Sequence, residues 1–319
     1  MPRIGCAGIL VADTFCGPMQ ALPMAGELLV IDAMVSSAGG CAANVAIDLA
    51  LQGLEVEIAG CVGNDTASNG LVAELESFGV RCARIVRCAD LPTSRTVILV
   101  TENEDRRYIH TFGANAAFGV ADIDRNWVSG LDLFYLGGLF ALPAIDFSAL
   151  SALLQHCRAS GTMTIVDVVV PGFKADVDLL DPLLPHIDYF VPNADEARVF
   201  TRLDAPQDQI RNLLDKGAHT VIVTRGEDGA YAGAGDQLLH APAYRLGAVD
   251  PSGSGDAFTA GVITAILRGE DLAGALKFGC AMGASAAREM GATGSVFRGD
   301  EAAAFVASHP IDVKELLWK

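Results

Sequence analysis

The segment Asp250-Pro251-Ser252-Gly253-Ser254-Gly255-Asp256-Ala257-Phe258 brings two kinds of chemistry together. Gly253, Ser254 and Gly255 precede apolar residues at helical spacing, Phe258, Val262, Ala265 and Ile266, until Gly269 stops the pattern. They therefore open a helix whose first N–H groups lack partners and whose dipole favours an anion such as a phosphate. Asp256 places a carboxylate beside that anion site. It reads either as an acid stabilising the helix terminus or as a general base taking the proton of a hydroxyl that attacks a bound phosphate. The second reading accounts for the glycines and the carboxylate together.

Other stretches offer polar groups at element ends. Ala38-Gly39-Gly40-Cys41-Ala42-Ala43-Asn44 opens a second helix, with paired glycines that permit close ligand approach and Asn44 in the first turn. Asp13 follows the apolar run Ile4 to Val11, where α/β folds place ligand groups, although a plain turn residue fits as well. Asn193 and Glu196 have capping-box spacing at the start of a third helix. Thr224, Gly226 and Gly229 follow the buried strand Val221 to Thr224 and lead into a hairpin at Ala230 to Leu239.

These groups need a frame to position them. Strands Leu131–Leu136, Met163–Val169 and Ile187–Val191 alternate with helices Phe147–Ala159 and Asp176–Leu184, and a last long helix covers Leu272 to Met290. Continuous apolar strands in such alternation predict a parallel sheet with helices on both faces. Tyr244 to Val249 reads as the end of a strand. Residues 14–37, and the strands Thr96–Thr101 and Arg107–Thr111 around a polar turn at 102–106, interrupt the rhythm. With 319 residues, 51% of them hydrophobic, the chain can build one large α/β unit. The net charge of −17 argues against sequence-independent nucleic-acid or anionic-membrane binding. Eight scattered cysteines without a C-x-x-C pair favour reduced thiols in a cytoplasmic protein over zinc. The run after Met1-Pro2-Arg3 is too short for a signal segment, and no later run reaches the ~18 apolar residues of a span.

The Asp250–Asp256 segment resembles the C-terminal signature of the ribokinase-like (PfkB) carbohydrate kinases, D-T-x-G-A-G-D, with Pro251 and Ser254 as departures. Gly39-Gly40 and Asn44, continuing through Gly53 to Gly63, resemble the N-terminal signature. Asn193 and Glu196 match the family's N-x-x-E, and Gly113-Ala114-Asn115-Ala116-Ala117 is similar to ribokinases in particular. The resemblance covers essentially the whole chain. It implies a single ribokinase-like domain over residues 1–319: a three-layer αβα sandwich with a mostly parallel sheet, and a small β-lid from insertions at about 14–37 and 94–112. It implies an ATP-dependent sugar kinase acting on a hydroxyl, a primary one, of a small sugar such as ribose, a hexose or a ketose.

The same resemblance assigns roles. Asp256 is the base, and Gly253, Ser254 and Gly255 form the anion hole. Asp13, Gly39, Gly40 and Asn44 hold sugar hydroxyls. Asn193 and Glu196 organise Mg²⁺ and phosphates; Thr224, Gly226 and Gly229 line the nucleotide, with Ser254, Gly255 and Cys280 also on its side, Cys280 standing where ribokinases often have His or Asn. A K⁺ site would draw on Asp250, Ser252, Ala286, Glu289, Gly291 and Ser295. The lid implies a homodimer.

Competing functions meet obstacles. G-x-x-x-x-G-K-[ST] and the protein-kinase motifs are absent. Gly5-Cys6-Ala7-Gly8 lies inside an apolar run with no helix after it, which departs from a dinucleotide fingerprint. A non-catalytic sugar or nucleotide sensor needs no base at Asp256. A nucleoside kinase of the same fold remains the nearest alternative, because Gly137-Gly138-Leu139-Phe140 carries no carboxylate where ribokinases place an acidic sugar contact. Phe140 and Phe112 could form an apolar wall there.

Overall fold

The computed structural model describes residues 2–102, 106–173 and 175–318. In chain order the strands and helices are β1 (Arg3–Gly8), β2 (Val11–Met19), β3 (Met34–Gly39), α1 (Cys41–Leu51), β4 (Glu55–Gly63), α2 (Thr66–Ser77), β5 (Arg81–Cys88), β6 (Arg95–Thr101), β7 (Arg107–Thr111), α3 (Arg125–Ser129), β8 (Leu133–Gly137), α4 (Phe147–Ala159) and β9 (Met163–Val166). They continue with β10 (Tyr189–Phe190), α5 (Ala194–Thr201), α6 (Pro206–Asp215), β11 (Thr220–Thr224), β12 (Ala230–Ala234), β13 (Gln237–Ala241), α7 (Ser254–Leu267), α8 (Leu272–Ala286), α9 (Glu301–Ser308) and β14 (Lys314–Glu315).

Among the described residues the large sheet has ten strands in the order β14-β13-β12-β11-β10-β9-β8-β1-β4-β5. It is parallel from β5 to β11, and β12, β13 and β14 add an antiparallel edge. Side chains alternate between its two faces, as the two-residue period of a strand requires. Leu133 and Tyr135 of β8 enter the core under α1, α2, α7 and α8, while Phe134 and Leu136 enter the core under α3 to α6. Helices α7 and α8 approach closely because both carry glycine at the crossing. A Cβ at Gly261 would stand 2.9 Å from the Gly279 Cα.

The second sheet, β3-β2-β6-β7, stands apart from the first. It realises the expected lid, with β2 running parallel to β6 and antiparallel to β3. Its outer positions include apolar residues open to solvent, Met34 at 67% and Ile109 at 63% exposure, and Val30 in the connection between β2 and β3 is 82% exposed. Residues 103–105 of the turn expected between β6 and β7 lie outside the described residues.

Several expected boundaries moved. The run Ile4 to Val11 is divided: β1 ends at Gly8, and Val11 to Met19 crosses into the lid. Asp176–Leu184 forms short 3₁₀ turns instead of a helix, since Pro182 and Pro185 remove backbone donors. Tyr244–Val249 forms no strand. Helix α8 stops at Ala286, four residues early, and the Ala287 carbonyl then accepts from Val249 and Asp250 N–H at 2.7 and 3.1 Å.

Candidate active site

Gly253 sets the geometry at the start of α7. Its φ of +73° is left-handed, and a Cβ there would collide with the Ala292 backbone, so only glycine turns the chain into this helix. The turn is closed by Ser254 N–H donating to the Pro251 carbonyl at 3.2 Å, so that expected anion-hole amide is already engaged. The amides following it belong to the helix's unpaired first turn. The Ser254 Oγ is buried with no protein partner. A buried hydroxyl without a partner costs free energy unless a ligand or water meets it, so it marks this terminus as a binding surface.

Asp256 follows within the same turn, and Asn44 Nδ2 donates to its Oδ2 at 2.7 Å. The other amide atom, Asn44 Oδ1, is buried and unpartnered, leaving an acceptor for a substrate hydroxyl. Burial raises the Asp256 pKa, while bonds from Asn44 and Cys41 oppose the rise. A carboxylate shifted towards neutrality is a better proton acceptor at working pH than an ordinary one.

Asp13 sits within lid strand β2 and not past the end of a central strand, because the chain leaves the large sheet at Gly8. Burial raises its pKa to about 7; a bond from Thr96 opposes the rise and the Asp256 charge adds to it. Gly39, on β3 and paired with Val11, must lack a side chain, since any Cβ would occupy the Asp13 carboxylate. Gly40 then caps α1. The two glycines thus bring the lid carboxylate and the α1 terminus together.

Asp167 is a member of the site that the sequence reading missed. It lies one residue beyond β9, and its Oδ1 accepts from Gly138 N–H at 2.6 Å while Oδ2 accepts from the Tyr135 hydroxyl. Its carboxylate, the Asp256 carboxylate and the Cys41 sulfur lie within 4.8 Å of one another. Burial, followed by repulsion from Asp256, raises its pKa well above the usual carboxylate range. Asp167 thus brings a carboxylate beside Gly138, in the region where Gly137–Phe140 carries none. Phe140 forms no apolar wall here: its ring packs on Phe147 and Phe200 at 5.3 and 5.1 Å. Phe112 is partly exposed and meets His110 edge-on.

Asn193 and Glu196 form the reciprocal cap of α5, with Asn193 Oδ1 accepting from Glu196 N–H and Glu196 Oε2 from Asn193 N–H, both at 2.9 Å. Capping does not exhaust them. Glu196 is buried, which raises its pKa to about 7, and the Asp256 charge adds to the rise. Asn193, Thr224, Arg225 and Gly226 line a single cleft of about 340 Å³ with Arg198. Gly229 closes the turn beneath it, its carbonyl accepting from Arg225 N–H at 2.8 Å. Cys280 is a buried core residue of α8, where burial raises its thiol to about 12.

Of the residues assigned to a monovalent cation, Asp250, Ser252, Ala286, Gly291 and Ser295 are already bonded within the protein. Asp250 Oδ1 accepts from Ser252 N–H and Oγ, and from Arg106 Nη1; Oδ2 accepts from Gly291 N–H at 3.2 Å. Ser295 Oγ donates to the Ala286 carbonyl at 3.0 Å, and Glu289 is exposed. Arg106 was not singled out in the sequence, because nothing local ties a hairpin arginine to a loop 144 residues away.

The pfkB family carbohydrate kinase model matches residues 2–297, so the chain belongs to the pfkB family of carbohydrate kinases. It is a phosphotransferase of that class with a ribokinase fold. Deoxyribokinase of Salmonella typhi is 30% identical over 242 residues, covering 74% of this chain and 77% of that protein. Adenosine kinase of Saccharomyces cerevisiae is 28% identical over 285 residues, 83% of this chain and 82% of that one. A structure of Arabidopsis thaliana ribokinase complexed with ribose and ATP matches with a TM-score of 0.81 at 21% identity, over 96% and 98% of the two chains. The homologues therefore include kinases of sugars and of nucleosides. No helix among the described residues is long and apolar enough to cross a membrane.

Proposed function

We propose that the chain transfers the γ-phosphoryl group of ATP to a primary hydroxyl of a small sugar, in the cytoplasm. The observation that carries this reading is the Asp256 carboxylate at the start of α7, held by Asn44 and beside the unpartnered Ser254 hydroxyl. Asp256 accepts the hydroxyl proton. The helix terminus stabilises charge on the phosphoryl oxygens, an arrangement that costs little reorganisation because the donors are fixed beforehand. Asn44 Oδ1, Asp13 and Asp167 take the remaining hydroxyls of the acceptor, and the cleft beside Thr224 and Gly226 takes the nucleotide.

The donor chemistry around Glu196 fits a hard divalent ion. Only one of its carboxylate oxygens is bonded in the cap, and Mg²⁺ keeps most of its waters and needs few protein oxygens. Asn193 and Glu196 would hold Mg²⁺ through water, and when bound it would offset phosphate charge. The lid excludes water, which would otherwise take the phosphoryl group. Its exposed apolar positions favour a homodimer through the lid.

A nucleoside acceptor is the second reading, supported by the adenosine kinase relative. ADP release from ATP across pentoses, hexoses, ketoacid sugars and nucleosides separates the two. Fastest turnover on a free sugar supports the first, and selective turnover on nucleosides replaces it with the second.

A further inference from the structure

Asp250 is fully buried beneath the loop that leads into α7, and the cation that meets it comes from the lid. Arg106 Nη1 lies 3.0 Å from Asp250 Oδ1 and 2.8 Å from Ser252 Oγ. Only 16% of the Arg106 side chain is exposed, and its guanidinium lies 5.8 Å from the Tyr108 ring centroid. The remaining capacity of Asp250 goes to Ser252 and Gly291, and the nearby carbonyls also have donors. Ala286 O accepts from Ser295 Oγ, and Ser295 O accepts from Arg288 Nη2. An alkali cation binds by replacing its hydration shell with oxygens that face it. Here those oxygens face N–H and O–H donors, and a fixed positive charge already stands at the carboxylate.

We propose that the Arg106 guanidinium is a built-in substitute for a bound monovalent cation, fastening the lid to the anion-hole loop so that turnover needs no added K⁺. The inference rests on the kinase reading of that loop. Arg106 acts as a positioning residue. It neutralises a carboxylate that would otherwise be charged and buried, and it fixes the turn from Asp250 to Gly253 whose geometry sets the first amides of α7. Since Arg106 precedes β7, the ion pair forms when the lid is seated, and lid closure and completion of the anion hole become one event. A displaced anion hole loses on the order of 10²-fold in rate, because reacting groups must be held closely in line.

The test compares wild type, Arg106→Met and Arg106→Lys in K⁺ and in tetramethylammonium at equal ionic strength, reading kcat for ADP release and the unfolding midpoint. Wild type should have the same kcat in both salts within about twofold, and the same midpoint. Arg106→Met should lose roughly 10-fold to 10²-fold in tetramethylammonium and recover much of it in K⁺, with a K⁺-dependent rise in midpoint that wild type lacks. Arg106→Lys keeps the charge and should remain indifferent to the salt. The proposal is overturned by several-fold K⁺ activation of wild type, by an Arg106→Met enzyme with wild-type kcat and salt response, or by a loss in Arg106→Met that K⁺ leaves untouched. If Arg106→Met does not fold, wild type and Arg106→Lys decide the matter by the same criterion of salt indifference. Absence of ADP release from wild type with every acceptor would sink the kinase reading instead, and the midpoints would still decide the role of Arg106.

Discussion

Asn44 Nδ2 donates to Asp256 Oδ2 at 2.7 Å, joining the first turns of α1 and α7 across 212 residues of sequence. The bond holds the carboxylate in place and opposes the rise in its pKa that burial causes. Asn44→Ala removes both effects. The acid limb of the kcat/KM profile should move to higher pH, and kcat/KM should fall roughly 10-fold to 10²-fold, the range expected for one hydrogen bond to a charged group. An unmoved acid limb would show that Asn44 has no hold on the base.

Asp13 and Glu196 link stability to pH. Burial raises both pKa values to about 7, so the folded chain binds protons at these sites more tightly than the unfolded one. Their contribution is fully present below about pH 4 and is lost as pH rises through about 7. Asn at position 13 stays neutral throughout. In thermal unfolding without ligands, Asp13→Asn should therefore gain on wild type between about pH 5 and pH 8. A constant difference between the two midpoints would mean that Asp13 is not held protonated by the fold.

Asp167 is oriented by Tyr135 and by Gly138 N–H, and its carboxylate lies within 4.8 Å of that of Asp256. Asp167→Asn should lower kcat/KM for the acceptor about 10-fold to 10²-fold while the KM for ATP stays within about threefold. Equal losses for both substrates would place Asp167 with the phosphates.

The lid leaves Met24, Leu28, Val30 and Met34 open to solvent, and light scattering at assay concentration should report a dimer. Val30→Asp with Met34→Asp should then shift the mass towards the monomer. A wild-type monomer would remove the dimer and leave the lid as a cover for the site.

Much of this frame was legible in the sequence, where it depended on local pattern. The apolar strands from Leu131 to Thr224 announced the parallel sheet, and Gly253 marked the turn that opens α7 with Asp256 in its first turn. What escaped depended on pairing at a distance. Met163 to Val169 read as one apolar strand, so Asp167 within it was passed over; the strand ends at Val166, and Asp167 takes the ligand-side position just past its end. Asp13 was recognised, but its place in the lid required knowing that β1 stops at Gly8. Cys41 was given no role in the sequence reading, yet its sulfur lies within 4.8 Å of the Asp167 and Asp256 carboxylates. Asn193 and Glu196 were read both as a cap and as a phosphate-side pair, and the structure shows the reciprocal cap with Glu196 buried.

The role of Asp256 is decided by Asp256→Asn, with kcat and unfolding midpoint measured on the same preparation. Asn keeps the size and can still pair with Asn44 but cannot accept the proton, so kcat should fall ~10²–10⁴-fold, with the midpoint unchanged or raised as a buried charge is removed. A variant that melts early yet turns over within about threefold of wild type would show Asp256 to be a helix-terminal carboxylate and contradict the mechanism.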